Sequence, residues 1–230
     1  DTHEKKALLI TGARQVGKTF IIREFGKQYD SFVEINFYEN KAAQSLFENA
    51  RNSDDLLLRL SAVANAPLIP GKTLVFLDEV QECKEIVTAI KFLVEEGSYQ
   101  YILSGSLLGV DLKDIRSVPV GYMDVLEMYP LDFEEFAYAN KVSPTIIESL
   151  RKSFQDKIPV NDIVHEKMME LFRLYLIVGG MPAAVMRYLE TNNLQEVLRE
   201  QRSIINLYKR DIARYDPEEK LYLEDIFDLI

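Results

Sequence analysis

Apolar residues in this chain fall first into short runs and later into longer, helically spaced faces. Runs at residues 7–11, 32–37, 73–77, 99–104 and 123–128 are rich in Val, Ile, Leu, Phe and Tyr. Each is bounded by Gly, Pro, Asp or Ser. Short apolar runs with such punctuation predict buried strands. Between them, apolar residues recur at helical spacing over 18–28, 41–50, 54–64 and 84–96. After the first strand, Phe20, Ile21, Ile22, Phe25 and Tyr29 fit one apolar helix face. Strands that alternate with helices predict an α/β fold: a parallel sheet with helices on both faces.

The pattern changes at Pro130. Asp132 can cap a helix, Glu135 can reach back to it, and Leu131 can staple against Phe136. Ser143-Pro144 opens a second helix, with serine at the cap and proline in the first turn. A third spans 161–178 and is stopped by Gly179-Gly180; Pro182 starts a fourth. Another covers about 193–214, and Asp216-Pro217 opens the last. The expected organisation is an α/β core over 1–130, a helical lid over 131–190, and a helical start of a second domain over 191–230. The chain lacks an initiating methionine and ends in an apolar helical pattern, 221–230, so it reads as a fragment of a longer protein.

Composition narrows the chemistry. The chain is 47% hydrophobic, which predicts a packed core, and carries 37 acidic against 27 basic residues, a net charge of −10. An acidic surface disfavours non-specific nucleic-acid binding, which depends on neutralising phosphates. One cysteine, Cys83, leaves no internal disulfide and no cysteine-rich zinc site. His3 and His165 are too few and too far apart in sequence for a zinc motif. No run approaches the length of a membrane span and no signal peptide is visible, so the expected location is cytoplasmic, without a membrane partner.

The residues with the most specific chemistry are Gly12, Ala13, Arg14, Gln15, Val16, Gly17, Lys18 and Thr19. They read G-x-x-x-x-G-K-T between a predicted strand and a predicted helix, the context of a phosphate-binding loop. Backbone N–H groups of residues 14–19 can surround a phosphate, favoured by the dipole of the following helix. Lys18 supplies a point charge for the β- and γ-phosphates, and the Thr19 hydroxyl is a hard oxygen ligand for Mg2+. Sixty residues after Lys18, the run 74–77 closes on Asp78 and Glu79. Asp78 can complete the magnesium site, and Glu79 can activate a water as general base. The plainer alternative is that both carboxylates cap the helix that starts near Lys84.

Ser104 ends the fourth strand, where a hydroxyl can sense a γ-phosphate or hold the attacking water. Arg116 lies in a polar stretch and is a candidate arginine finger toward a neighbouring subunit; a solvated arginine is its plainer reading. Pro182, in the bend 179–182, is a candidate contact to the base, and Arg187 a candidate for the phosphates. The same bend is also explained as a helix stop followed by a helix start.

Five segments together resemble a known family: 10–19, Phe76-Leu77-Asp78-Glu79-Val80-Gln81, 103–108, Tyr129-Pro130-Leu131-Asp132-Phe133-Glu134-Glu135-Phe136, and Gly179-Gly180-Met181-Pro182. The chain is similar to prokaryotic AAA-superfamily ATPases that carry an AAA_14 domain followed by a DUF4143 domain. That resemblance implies an AAA+-type P-loop core, a helical lid, ATP or ADP with Mg2+ as ligands, and a second domain beginning near Leu194. It implies a homo-oligomer or a protein partner through that second domain. It also implies adenine contact at Pro182, and ATP over GTP, in keeping with the absence of an N-K-x-D motif. One departure stands out. Family members often carry a basic residue after the glycine matching Gly121, and here that residue is Tyr122.

The expected function is therefore a slow, Mg-dependent ATPase that works as a nucleotide-driven switch. A nucleotide-gated interaction module that does not need hydrolysis is the alternative. A phosphotransferase fits less well, because 131–190 holds only Arg151, Arg173 and Arg187.

Overall fold

The computed structural model describes residues 6–50, 52–83, 85–106 and 121–215. Five strands, β1 (Ala7–Gly12), β2 (Ser31–Asn36), β3 (Thr73–Asp78), β4 (Gln100–Ser106) and β5 (Met123–Met128), form one sheet in the order β2-β3-β4-β1-β5. Every pairing is parallel. The predicted strands stand within two residues of their expected bounds; for the central strands the reason is that burial on both faces demands an apolar run, while β5 is exposed over most of its length. All six residues of β3 are buried.

Helices α1 (Lys18–Gly26), α2 (Lys41–Gln44), α3 (Ser53–Val63) and α4 (Glu85–Glu96) accompany these strands. One face of the sheet packs Val33, Ile35, Val75, Leu77 and Leu103 with Leu56 and Leu60 of α3 and Ile86, Ile90 and Leu93 of α4. The opposite face packs Ile10, Leu74, Phe76 and Ile102 with Ile22 of α1. The result is the expected parallel sheet between helices.

Two expectations about these helices need correction. The apolar face predicted for α1 is largely exposed: Phe20 is 70% accessible and Ile22 only 1%. The sheet-facing row is instead Lys18, Ile22 and Gly26, one turn apart, with Gly26 pressed against the Phe32 ring. That row turns Lys18 inward. The helix predicted over 41–50 ends at Gln44 and passes into a 3₁₀ turn, Ser45–Phe47. Its chain must bend there to bury Leu46 and Phe47, and Asn49 adopts a positive φ of 51°.

The chain leaves β1 for β2 at one edge of the sheet and leaves β4 for β5 at the other. Neighbouring strands whose connections depart in opposite directions leave a crevice at their carboxyl ends, where ligands of α/β sheets bind. Gly12, Asp78 and Ser104 all stand at those ends.

A second compact unit begins at Tyr129, two residues before the expected boundary. It holds α5 (Phe133–Ala139), α6 (Pro144–Asp156), α7 (Asp162–Val178), α8 (Pro182–Thr191) and α9 (Leu194–Tyr215). Its helix starts are those the sequence encodes. Asp132 and Glu135 form a capping box, Ser143 caps α6 with Pro144 in the first turn, and Asn161 caps α7. Leu131 packs in the cluster of Phe136, Val178, Ala184, Val185 and Val197.

The expected division at residue 190 does not hold as a packing boundary. Val197 of α9 is buried in the same cluster as α5, α7 and α8, and the Gln201 amide donates to the carbonyls of Ile177 and Val178 at 2.9 and 3.0 Å. An apolar stripe on α9 finds its partners on the helices before it. The helix expected after Asp216-Pro217 lies outside the described residues.

Candidate functional site

The loop after β1 is shaped by glycine. Gly12 has φ 149°, and a Cβ there would stand 2.2 Å from the Met128 carbonyl oxygen of β5. No side chain fits against that backbone. Gly17 has φ 101° and occupies the cap position of α1 without any side-chain cap. The first-turn amides of α1 are therefore not taken by a capping group and remain available to an anion. Gln15 also holds a positive φ, 64°, while buried Val16 anchors the loop in the core.

Lys18 is 8% exposed. Its ammonium donates to the loop's own carbonyls, Gly12 at 2.9 Å and Ala13 at 2.8 Å. Burial lowers its pKa; the carboxylates of Glu79 and Asp78 oppose that shift, and the Arg14 charge reinforces it. Glu79, Asp78 and Arg14 thus all act on Lys18 at the carboxyl end of the sheet.

Asp78 is 3% exposed and is held by four donors. Oδ2 accepts from the Thr19 hydroxyl at 3.3 Å and from Asn36 Nδ2 at 3.0 Å. Oδ1 accepts from the Glu79 amide at 3.1 Å and from the Ser104 hydroxyl. Burial raises the Asp78 pKa, and the bond from Ser104 counters it.

Asn36 is a site residue that sequence reasoning missed. Its Oδ1 accepts from the amides of Tyr38 and Glu39 at 2.9 and 3.0 Å, which turns Nδ2 toward Asp78. Asn36 and Asp78 are register partners on β2 and β3. The signal in the sequence was an Asn ending a strand; only the strand order shows what it faces. Ser104 is 1% exposed. It sits on β4, between the loop-bearing β1 and the Asp78-bearing β3. The structure brings it into the site, but its hydroxyl is directed to Asp78.

Glu79 leaves the strand at φ 58°, ψ 48°, a left-handed conformation that non-glycine residues rarely adopt. Gln81 Nε2 donates to its carboxylate.

Thr19 and Asp78 fit a magnesium ion of the kind that shares its shell with phosphates and water. Their oxygens are hard donors 3.3 Å apart beside the phosphate loop. Among the described residues no cluster of three His, Cys, Asp or Glu is placed to hold a metal alone.

Arg116 lies outside the described residues. Pro182 is the first residue of α8 in the helical unit, and Arg187 stands 3.9 Å from both Glu190 and Glu200. Tyr122 precedes β5, its carbonyl accepting from Ala7 N at 2.9 Å. It is therefore at the amino end of β1, about 15–17 Å from Gly12 at ordinary strand rise. A basic residue there would lie too far along the strand to serve the phosphates of its own loop. No helix of the described residues is long and apolar enough to cross a membrane.

Residues 4–137 match the AAA_14 family model, described as an AAA domain. That match covers more than half of the chain. The chain belongs to the AAA_14 family. Residues 169–230 match a domain of unknown function, DUF8612, where the resemblance had implied DUF4143. Comparison with curated proteins gave no match.

Among solved structures, this AAA_14 protein is similar to a Walker-type ATPase of Pyrococcus abyssi, at 15% identity and TM-score 0.46, over 97% of this chain and 71% of that one. It is similar to AMPPCP-bound DnaA from Aquifex aeolicus at 14% identity and TM-score 0.47, over 92% and 64% of the two chains. For PCH-2 of C. elegans the values are 13% and 0.47, over 85% and 61%. The chain thus spans less than two thirds of the latter two proteins.

Proposed function

We propose that this AAA_14 protein binds Mg-ATP at residues 12–19 and hydrolyses it slowly. The observation that carries the reading is the convergence of Lys18, Thr19, Asp78 and Glu79 at the carboxyl end of the sheet, beside uncapped α1 amides. The amides of residues 14–19 bind the β-phosphate. Lys18 exchanges its loop carbonyls for β- and γ-phosphate oxygens. Thr19 and Asp78 hold the magnesium ion, which neutralises phosphate charge when bound. Asn36 and Ser104 keep Asp78 oriented toward it.

Glu79 takes the proton of the attacking water, in a reaction where positioning and electrostatics supply most of the rate. Pro182 contacts the adenine base, and Arg116 is the finger offered to a neighbouring copy. The helical unit reports the nucleotide state to a partner in the cytoplasm, as segments contacting a γ-phosphate do in other switches.

Phosphate release from Mg-ATP tests the chemistry. Release is expected in the wild type and about 100-fold lower in Glu79→Gln, in the range lost with a general base. Equal release by both proteins would remove Glu79 from this role. A rise in specific activity with protein concentration is the sign of a finger supplied by a neighbour.

A further inference from the structure

The turn after β3 carries a side chain that the proposed reaction has not used. Val80 is buried in the core, and the turn Val80–Glu82 closes with Glu82 N on Glu79 O and Cys83 N on Val80 O, both at 3.0 Å. Gln81 is held on this rigid frame with its amide nitrogen donating to Glu79 Oε2. Charge fixes that orientation, since the flipped amide would set a carbonyl oxygen against a carboxylate. The Gln81 carbonyl, Oε1, is consequently turned away. It is buried and accepts no hydrogen bond among the described residues.

Two local costs meet here. One is the left-handed backbone of Glu79, the other the unsatisfied buried acceptor of Gln81. What both accompany is a single bond, from Gln81 to the Glu79 carboxylate. Glu79 directly follows Asp78, whose carboxylate accepts from Thr19 of the loop at 3.3 Å. The carboxylates of Glu79 and Asp78 both act on the Lys18 ammonium.

We propose that Gln81 is the positioning residue for Glu79: its amide engages one carboxylate oxygen and leaves the other aimed to receive a proton from water. This rests on Glu79 being the water-activating base. Gln81 touches no substrate and acts through Glu79 alone.

Gln81→Met tests the proposal, because methionine keeps the length and volume of the side chain and removes both the donor and the unpaired carbonyl. Turnover of Mg-ATP, its KM, ADP affinity and the melting temperature are measured together on the same chain. The expected result is a kcat lower by about tenfold or more, the scale of a misplaced reacting group. KM and ADP affinity should stay within about twofold, and the melting temperature should hold or rise. A purely structural role would lower the melting temperature and leave kcat per folded molecule unchanged.

Gln81→Glu, which sets a like charge against Glu79, is expected to lower kcat with the same unchanged KM, and it stands in should the methionine variant fail to fold. A kcat equal to or above wild type in the folded variant overturns the positioning role and leaves Glu79 as the base. Wild-type protein that releases no phosphate, or Glu79→Gln as active as wild type, removes the base and Gln81's role with it.

Discussion

Asp78 shows how a buried charge is kept usable. Its two oxygens take four donors, from Thr19, Asn36, Glu79 and Ser104, and the bonds from Ser104 and the Glu79 amide oppose the burial that lifts its pKa above the ordinary carboxylate value. The Ser104 bond favours the ionised form, so its removal should matter only while Asp78 is charged. For Ser104→Ala a loss of about 1–3 kcal/mol is expected at neutral pH, the usual cost of stripping a partner from a buried charged group. The loss should fade as pH falls through the raised Asp78 pKa, because the protonated carboxyl no longer depends on that donor. Urea unfolding of both proteins at several pH values checks this; a loss independent of pH would mean that the hydroxyl serves packing alone. Lys18, Thr19, Asp78 and Glu79 were legible from spacing, since a phosphate loop and an apolar run ending in two acids are local signals. Asn36 and the use of Gln81 were not, because each is defined by a neighbour that only the folded sheet or turn supplies.

At the scale of elements, legibility followed burial and capping chemistry. The central strands were readable because β1, β3 and β4 are enclosed and carry apolar runs that turn polar at their carboxyl ends. The helix starts at Asp132, Ser143 and Asn161 were readable because their caps are local. Strand order was not readable: β4 inserts between β1 and β3, and pairing between strands far apart in sequence leaves no local trace. The α1 face was misread because the exposed Phe20, Ile21 and Phe25 mimic a buried stripe. The bend at 179–182 proved to have a packing reason. A Cβ on Gly180 would stand 2.0 Å from the Leu131 oxygen. The Leu131 amide donates to the Gly180 carbonyl at 2.8 Å, and the Tyr175 hydroxyl donates to Leu131 O at 2.9 Å. Two of the segments that carried the family resemblance, 129–136 and 179–182, are therefore one structural corner of the helical unit.

At the scale of the whole molecule, the structure has two compact units with separate cores, one bearing the phosphate loop and one built of helices. A nucleotide switch requires the second to respond to the state of the first. Hydrogen exchange over α5 to α9 is expected to slow more with a non-hydrolysable ATP analogue than with ADP; equal protection by both would count against the switch. The central claim, that residues 12–19 hold a nucleoside triphosphate, is tested most directly by calorimetric titration of Mg-ATP into the wild type and Lys18→Ala. Saturable binding by the wild type, weakened about 100-fold or more in the variant, corresponds to roughly 2.7 kcal/mol lost with the buried ammonium. A wild type that does not bind Mg-ATP, or a variant that binds it equally well, would contradict the account.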